Sequence, residues 1–514
     1  MIYSVPNAGS LGIIKDIESQ ELPPEAWTDG VNVRFDDGKV YKVDGYSSIF
    51  TPSVSDANWI TPVQTKTDIY WAYCGTDDIY VYRPSADTHH KITRAAGVYT
   101  GTAAARWNGG VLGTVGIFNN GTDVPQSWNP ALHGTLLVNL PNWPSGVTAK
   151  VIRPYKNFLV GLDITKSGST YPQMVKWSNP AEAGAVPTTW DQTDTSQNAG
   201  EVILADTGGF LVDCLPMRDV NIVYKDSEVY GMQFIGGQLV FRFNQILKTS
   251  GLIAQGCAKE FKGQHFVIAN DDIILFNGND AESIIDRRLA RTVFAEIDST
   301  NYANCFVVPN YSQMEMWFCY PQGGDTYATK AAIWNWRENT WGFRDLPTTP
   351  YISFGVYGAG TLNNWDTDSN AWDTDNTFWG SQNYNPTISE LIGIATGNGY
   401  KMNDTHQAAG TDITSWVERT NLPLGGHQGK VMVTAVYPRV ELGASSTLSV
   451  YVGEHNAIED PVTWSGPFTF TPGTDYKVDC RVTGRYIAIK FEFPGDNSGN
   501  LSGYEIEYEL AGLR

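Results

Sequence analysis

The chain has no CxxC pair, no HExxH, no surplus of basic residues and no apolar run of the about 18 residues that a membrane helix needs. Each absence removes a class of function. Cys74, Cys214, Cys257, Cys305, Cys319 and Cys480 follow no regular spacing, which excludes a zinc ribbon and a disulfide framework and leaves small buried hydrophobes. Without HExxH there is no helical metal pair for hydrolysis, and no GxSxG elbow leads into a helix. GGHQGKV at 425–431 only imitates a phosphate loop, because Leu424 stands six before Lys430 and Val431 replaces the magnesium-binding Ser or Thr. The reading therefore expects no enzyme, and no catalytic, cofactor-binding or metal residues. MIYSVPNAGSLG lacks a basic start with an apolar run behind it, so no signal peptide and no membrane span are expected, and synthesis is expected in the cytoplasm.

The 35 basic and 55 acidic residues give a net charge of -20. A free-standing nucleic-acid binder has the opposite sign, since its affinity comes from releasing counterions with Lys and Arg. Two readings of the acidity stay open: solubility, or the lining of a passage through which a polyanion slides without sticking.

What is plentiful is glycine (51), tryptophan (17), tyrosine (26) and phenylalanine (21), while charged residues make up only 18 %. That mix favours many short strands joined by tight turns over thin aromatic cores. Near the start, Val31, Val33 and Phe35 alternate with Asn32 and Arg34 before Asp36-Asp37-Gly38. A three-residue loop with Gly38 left-handed would pair Val31 with Val43, Asn32 with Lys42 and Val33 with Tyr41, and keep the faces unmixed.

IYWAYCGTDDIYVYR at 69–83 reads as a second hairpin, and strand-like runs recur every 30 to 50 residues up to AAIWNWRENTWGFRDLP from 331. A four-stranded blade needs about 40–45 residues. Residues 55–350 thus have room for six or so blades of a β-propeller, with a two-sheet sandwich as the alternative, and no WD or kelch signature recurs. CAKEFKG near 257 and DRRLARTVFAEI near 286 read as turns or short helices.

Residues 361–379 repeat Trp365-Asp366-Thr367-Asp368 and Trp372-Asp373-Thr374-Asp375 and read as a projecting tip. Asp366, Asp368 and Asn370 alternate like calcium ligands, but Ala371 fills the glycine slot and Thr377 the bidentate acid slot. After a boundary near 410, VMVTAVYPRVEL, LSVYVGE, RYIAIKFEF and YEIEYEL alternate as strands with one wet face. The expected fold is all-β. It has an N-terminal hairpin segment at 1–54, a propeller-like domain at 55–350, an irregular tip region at 351–410 and a sandwich or barrel at 411–514.

DGVNVRFDDGKVYKVDGY, IVYKDSEVYGMQFIGGQLVFRF, IWNWRENTWGFRDLP and the closing GRYIAIKFEF with YELAGLR, in that order, resemble the tail nozzle, or tail hub, proteins of short-tailed bacteriophages. The likeness runs from about 12 to 514 and is weakest over 355–410. It implies a virion tail protein without catalysis or cofactor, forming a six-fold ring below the portal and its adaptor ring, with the 1–54 segment a candidate adaptor-facing platform. Such a ring closes the channel after packaging, conducts genomic DNA without specific binding, and carries fibres, spikes or a needle. The alternative is a propeller that binds or cleaves carbohydrate. Its motivation is the wealth of Trp and of acids, although no SxDxGxxW box is present and a glycosidase needs two carboxylates about 5–10 Å apart.

Overall fold

The computed structural model describes residues 1–512 apart from 66–67, 103–104, 131–133, 358–388, 423 and 425–428. Seven four-stranded antiparallel blades make up most of the chain, six of them separate sheets and one, the sixth, the first four strands of a ten-stranded sheet. The first runs from Trp59–Gln64 to Thr88–Lys91, the second from Asn108–Leu112 to Val138–Asn139, and the third from Val147–Tyr155 to Gly200–Ile203. The fourth spans Leu211–Met217 to Phe241–Leu247, the fifth Ala258–Phe261 to Ala281–Ser283, and the sixth Phe306–Asn310 to Thr340–Thr349. The first strands of neighbouring blades lie against one another from the second blade to the seventh, and the seventh lies against the first. Trp59 of the first blade and Phe118 of the second meet edge to face at 6.1 Å, so the ring is closed and the domain is a seven-bladed β-propeller.

The sequence pattern leaves room for six or so blades over 55–350 and gives no sign of the blade that closes the ring. That blade is built from Tyr351–Val356, Ser389–Ala395 and Asn398–Met402, and its outer strand is Tyr46–Phe50 from the far end of the chain. The propeller therefore extends beyond 55–350 on both sides, and Tyr351–Val356, Ser389–Ala395 and Asn398–Met402 of the expected 351–410 tip region are blade. Local alternation cannot reveal a sheet whose paired strands are about 350 residues apart. CAKEFKG is also strand rather than helix: Ala258 pairs with Val267 and Phe261 with Gln264 around left-handed Lys262 and Gly263. DRRLARTVFAEI forms the helix Asp286–Glu296, burying Leu289 and Val293.

Residues 411–512 form a two-sheet sandwich together with strands from the start of the chain. One sheet holds Ile2–Pro6, Gly499–Gly512, Lys430–Leu442 and Val478–Gly484; the other holds Asp29–Val31, Ser415–Leu422, Tyr486–Phe493, Leu448–His455 and Thr463–Phe470. Ile487, Ile489, Phe491, Tyr504 and Ile506 meet between them. Trp27 enters the same core, 6.1 Å from Phe491 and 5.9 Å from Tyr504, with its indole N–H on the Ala8 carbonyl at 2.6 Å.

The hairpin Val33–Asp36 and Lys39–Lys42 joins the two domains: Val33 pairs with Phe343 of the sixth blade, while Val40 pairs with Leu501 of the sandwich. One sheet thus runs from the sixth blade through the hairpin into the sandwich. Its register corrects the expected one, because Val33 faces Lys42, Arg34 faces Tyr41 and Phe35 faces Val40 across a two-residue loop. Two features make the mixed faces tolerable. Asn32 sits at φ 56°, a region Asn tolerates, and bends the chain from one sandwich sheet into the joining sheet. Lys42 is buried with its ammonium fully engaged, so an inward lysine costs no unpaired charge.

Asp37 and Gly38 have φ 49° and 66°, as a type I′ turn requires. A side chain at Gly38 would meet only Asn7, at 3.5 Å. Gly38→Val is therefore expected to cost about 1–2 kcal/mol through backbone strain and not through a clash. Gly38→Asn should recover most of it. A urea midpoint that does not move for the valine variant would show that this turn is not under conformational constraint.

Candidate functional site

The first strand of each blade faces the propeller axis, and there the structure concentrates charge. Arg153 of the third blade grips Asp213 of the fourth with two bonds, Nε to Oδ1 and Nη2 to Oδ2, both 2.8 Å, and donates to the Gly109 carbonyl of the second at 3.0 Å. Asp213 also accepts the Gly256 and Cys214 amides at 3.0 and 2.9 Å. Burial opposes ionisation of Asp213, but Arg153 and these amides outweigh it and hold the carboxyl below its usual range. Beside them Arg106 donates to the carbonyls of Gln255, Ala303 and Cys305, and its guanidinium lies over Phe306 and Tyr351. With its acceptors taken up, the carboxylate is a clasp between blades and not a proton donor. Sequence reasoning passed over both residues; a lone charge inside the apolar runs VIRPY and LVDCLP was the available signal.

A second clasp joins the fourth and fifth blades. His265 is fully buried, with Nδ1 2.7 Å from the Tyr224 hydroxyl and Nε2 3.1 Å from the Pro216 carbonyl. Burial pushes its pKa down to about 4, against the weaker upward pull of the Pro216 carbonyl and Glu260. The unfolded chain takes up a proton near pH 6.5 that the native fold refuses, so this contribution is complete above 6.5 and falls as pH drops towards 4. The loss should reach about 3 kcal/mol. Urea midpoints between pH 7 and 4.5 are expected to show this slope in the native chain and a flatter one in His265→Gln. Equal slopes would mean that His265 does not titrate in this way.

The grooves on the outside are acidic. A cleft of about 1000 Å³ lies between residues 16–21, the turn at 271–272 and the helix, lined by Asp16, Glu18, Glu21, Asp271, Asp272 and Asp286 against Arg287 and Arg291. Asp16 is committed to the fold, since it accepts the Arg291 amide at 2.7 Å and the Thr292 hydroxyl at 2.6 Å. Asp36, Asp37 and Glu338 converge closely enough to hold a metal ion. Arg337 already meets their charge, with Nη2 2.5 Å from Asp36, 2.6 Å from Asp37 and 3.7 Å from Glu338, so the trio fastens the hairpin to the sixth blade.

All six cysteines are free and buried, and burial pushes the thiols of Cys214 and Cys305 up to about 12 and that of Cys480 up to about 11. Among the described residues every tryptophan is buried or half-buried. Asp366, Asp368, Asn370 and the tip tryptophans Trp365, Trp372 and Trp379 lie outside the described residues, as does the GGHQ of the false phosphate loop. No helix among the described residues is long and apolar enough to cross a membrane.

No family model matches the chain, and no curated protein matches it. Several solved structures give distant likenesses. The WD40 β-propeller domain of Doa1 aligns with 70 % of this chain and 96 % of its own length, at 10 % identity and a TM-score of 0.39. Raptor of Chaetomium thermophilum aligns with 70 % of this chain at 8 % identity and a TM-score of 0.39, and the match spans 29 % of Raptor. PorZ, a surface component of the type-IX secretion system of Porphyromonas gingivalis, gives 7 % identity over 73 % of this chain and 43 % of its own, with a TM-score of 0.33. The assignment of the fold rests on the sheets themselves.

Proposed function

We propose that the protein is a structural component of a short phage tail, a nozzle or hub whose copies form a six-fold ring below the portal and adaptor and surround the channel through which DNA leaves. The observation that carries this reading is where the resembling stretches fall. DGVNVRFDDGKVYKVDGY is the joining hairpin, IWNWRENTWGFRDLP is the blade edge it pairs with, and GRYIAIKFEF and the described part of YELAGLR, residues 508–512, lie in the sandwich strands beyond it. Three of the four stretches fall on the elements that weld the two domains into one body, as suits a part that must hold its shape under load, and IVYKDSEVYGMQFIGGQLVFRF lies in the fourth blade. The net charge of -20 and the acidic cleft suit a wall past which DNA moves without adhering.

Mixing the purified chain with its adaptor ring and imaging the product by negative-stain microscopy tests the reading. The expected result is a six-fold collar added to the adaptor. A chain that stays monomeric there, or virions lacking it that still retain their DNA, would overturn it.

A further inference from the structure

The hairpin tip of the fourth blade carries an exposed apolar cluster on a fixed backbone. Its strands end at the pair Phe234 and Phe241, and the connection bears Phe234, Ile235 and Leu239 with 43, 48 and 72 % of their surfaces exposed. Side chains added at Gly236 or Gly237 would meet nothing within 4 Å, so the tip stands clear of the fold. It is nonetheless held in shape. Val240, at φ 51° and ψ -60°, is buried, and its carbonyl accepts both the Ile235 and Gly236 amides at 2.9 and 3.1 Å. A β-branched residue rests there only when its surroundings impose it; its burial against the Phe158, Trp177 and Phe241 cluster does so.

In a strongly acidic chain, cations gather around this tip. Lys156 lies 5.8 Å over the Phe234 ring, Arg242 sits opposite Gln233 at the strand end, and Arg218 and Lys262 occupy the adjoining turns, Arg218 reaching towards Gly263. All four are exposed. Acids lie near them too: Asp219 is 3.7 Å from Lys156, and Glu260 accepts the Gly263 amide at 2.9 Å.

We propose that this tip docks on an anionic lipid bilayer, with Phe234, Ile235 and Leu239 entering the headgroup and acyl boundary and Lys156, Arg218, Arg242 and Lys262 meeting lipid phosphates. Shape selects a bilayer over a second copy of the chain. A stable protein interface buries about 800 Å² on each partner in matched surfaces, whereas three side chains on a convex tip offer far less; a bilayer accepts an apolar projection without a complementary pocket. Basic residues beside an apolar insertion are the pattern that anionic lipid rewards. The inference goes beyond ring assembly and does not depend on it.

Flotation of the full chain with vesicles of phosphatidylglycerol and phosphatidylcholine, and with phosphatidylcholine alone, tests it. The native chain is expected to float with the mixed vesicles. The Ile235→Asn, Leu239→Asn double variant should bind them more than about tenfold more weakly through lost apolar burial. Lys156→Gln and Arg242→Gln should each cost about fivefold on mixed vesicles and leave phosphatidylcholine binding unaltered. All these positions are exposed, so circular dichroism should match the native chain. A native chain that does not float, a double variant that floats equally well, or a concentration-dependent dimer abolished by the double variant without vesicle binding would each overturn the proposal.

Discussion

Lys42→Met is expected to lower stability by about 2–4 kcal/mol and to uncouple the two domains. The Lys42 ammonium lies within hydrogen-bonding distance of four carbonyl oxygens: His406 at 2.9 Å, Pro494 at 2.9 Å, Gly495 at 2.5 Å and Asn497 at 3.1 Å. His406 follows the last propeller strand, residues 494–497 belong to the sandwich, and Lys42 ends the joining hairpin, so one cation draws three parts together. Burial lowers its pKa, while Asp496, Asp412 and Asp44 support the charge. Methionine keeps the volume and the stem but offers the carbonyls no donor. Arginine is not a conservative rescue, because a planar fork cannot address carbonyls arranged around a point. Denaturation followed by near-ultraviolet dichroism should split from one transition into two, and proteases should gain access to 403–414. A single transition at the native midpoint would show that the lysine is dispensable.

Asp213→Ala is expected to cost about 3–5 kcal/mol, because it leaves the Arg153 guanidinium without its counter-ion inside the propeller. The Gly256 and Cys214 amides lose an acceptor as well. Arg153→Met with Asp213→Leu should recover only part of the loss, since the two amides stay unpaired. The pH dependence has a definite sign. A carboxyl held below its usual range in the fold contributes stability that is present above its unfolded value of about 3.9 and vanishes as pH falls through the lower folded value. Asp213 thus begins to lose its stabilising contribution only below about pH 4, whereas His265 weakens the fold already below about pH 6.5. A native-like midpoint for Asp213→Ala at pH 7 would exclude the clasp as a stabilising element.

The parts of this fold that were legible in the sequence are those whose partners lie close by. Ile69, Trp71 and Tyr73 announce a hairpin because Ile79 and Val81 lie just beyond the turn, and Cys74 does pair with Ile79. Ile487, Ile489, Phe491 and Phe493 announce a sandwich face, and all four are buried. The seventh blade was hidden because Tyr46–Phe50 pairs with Asn398–Met402, and no local period carries that information. The hairpin register was misjudged for a physical reason: alternation was read through Asn32 as though the strand ran straight, yet the chain bends there, and an inward Lys42 counted as a fault when it is a junction. The axial clasp was out of reach in the same way, since Arg153 and Asp213 find each other only once neighbouring blades close.

The outer strand of the seventh blade sets an order of events during synthesis. Tyr46–Phe50 leaves the ribosome early, but its partner Asn398–Met402 follows some 350 residues later. At about 5–20 residues per second this strand waits roughly 20–70 s with its edge unpaired. The propeller cannot close in that interval, and the nascent chain exposes an aromatic strand, YSSIF, to chaperones and to neighbouring chains on the same message. Yield in a recombinant host should therefore depend on how that early strand is sheltered more than on the stability of the finished ring.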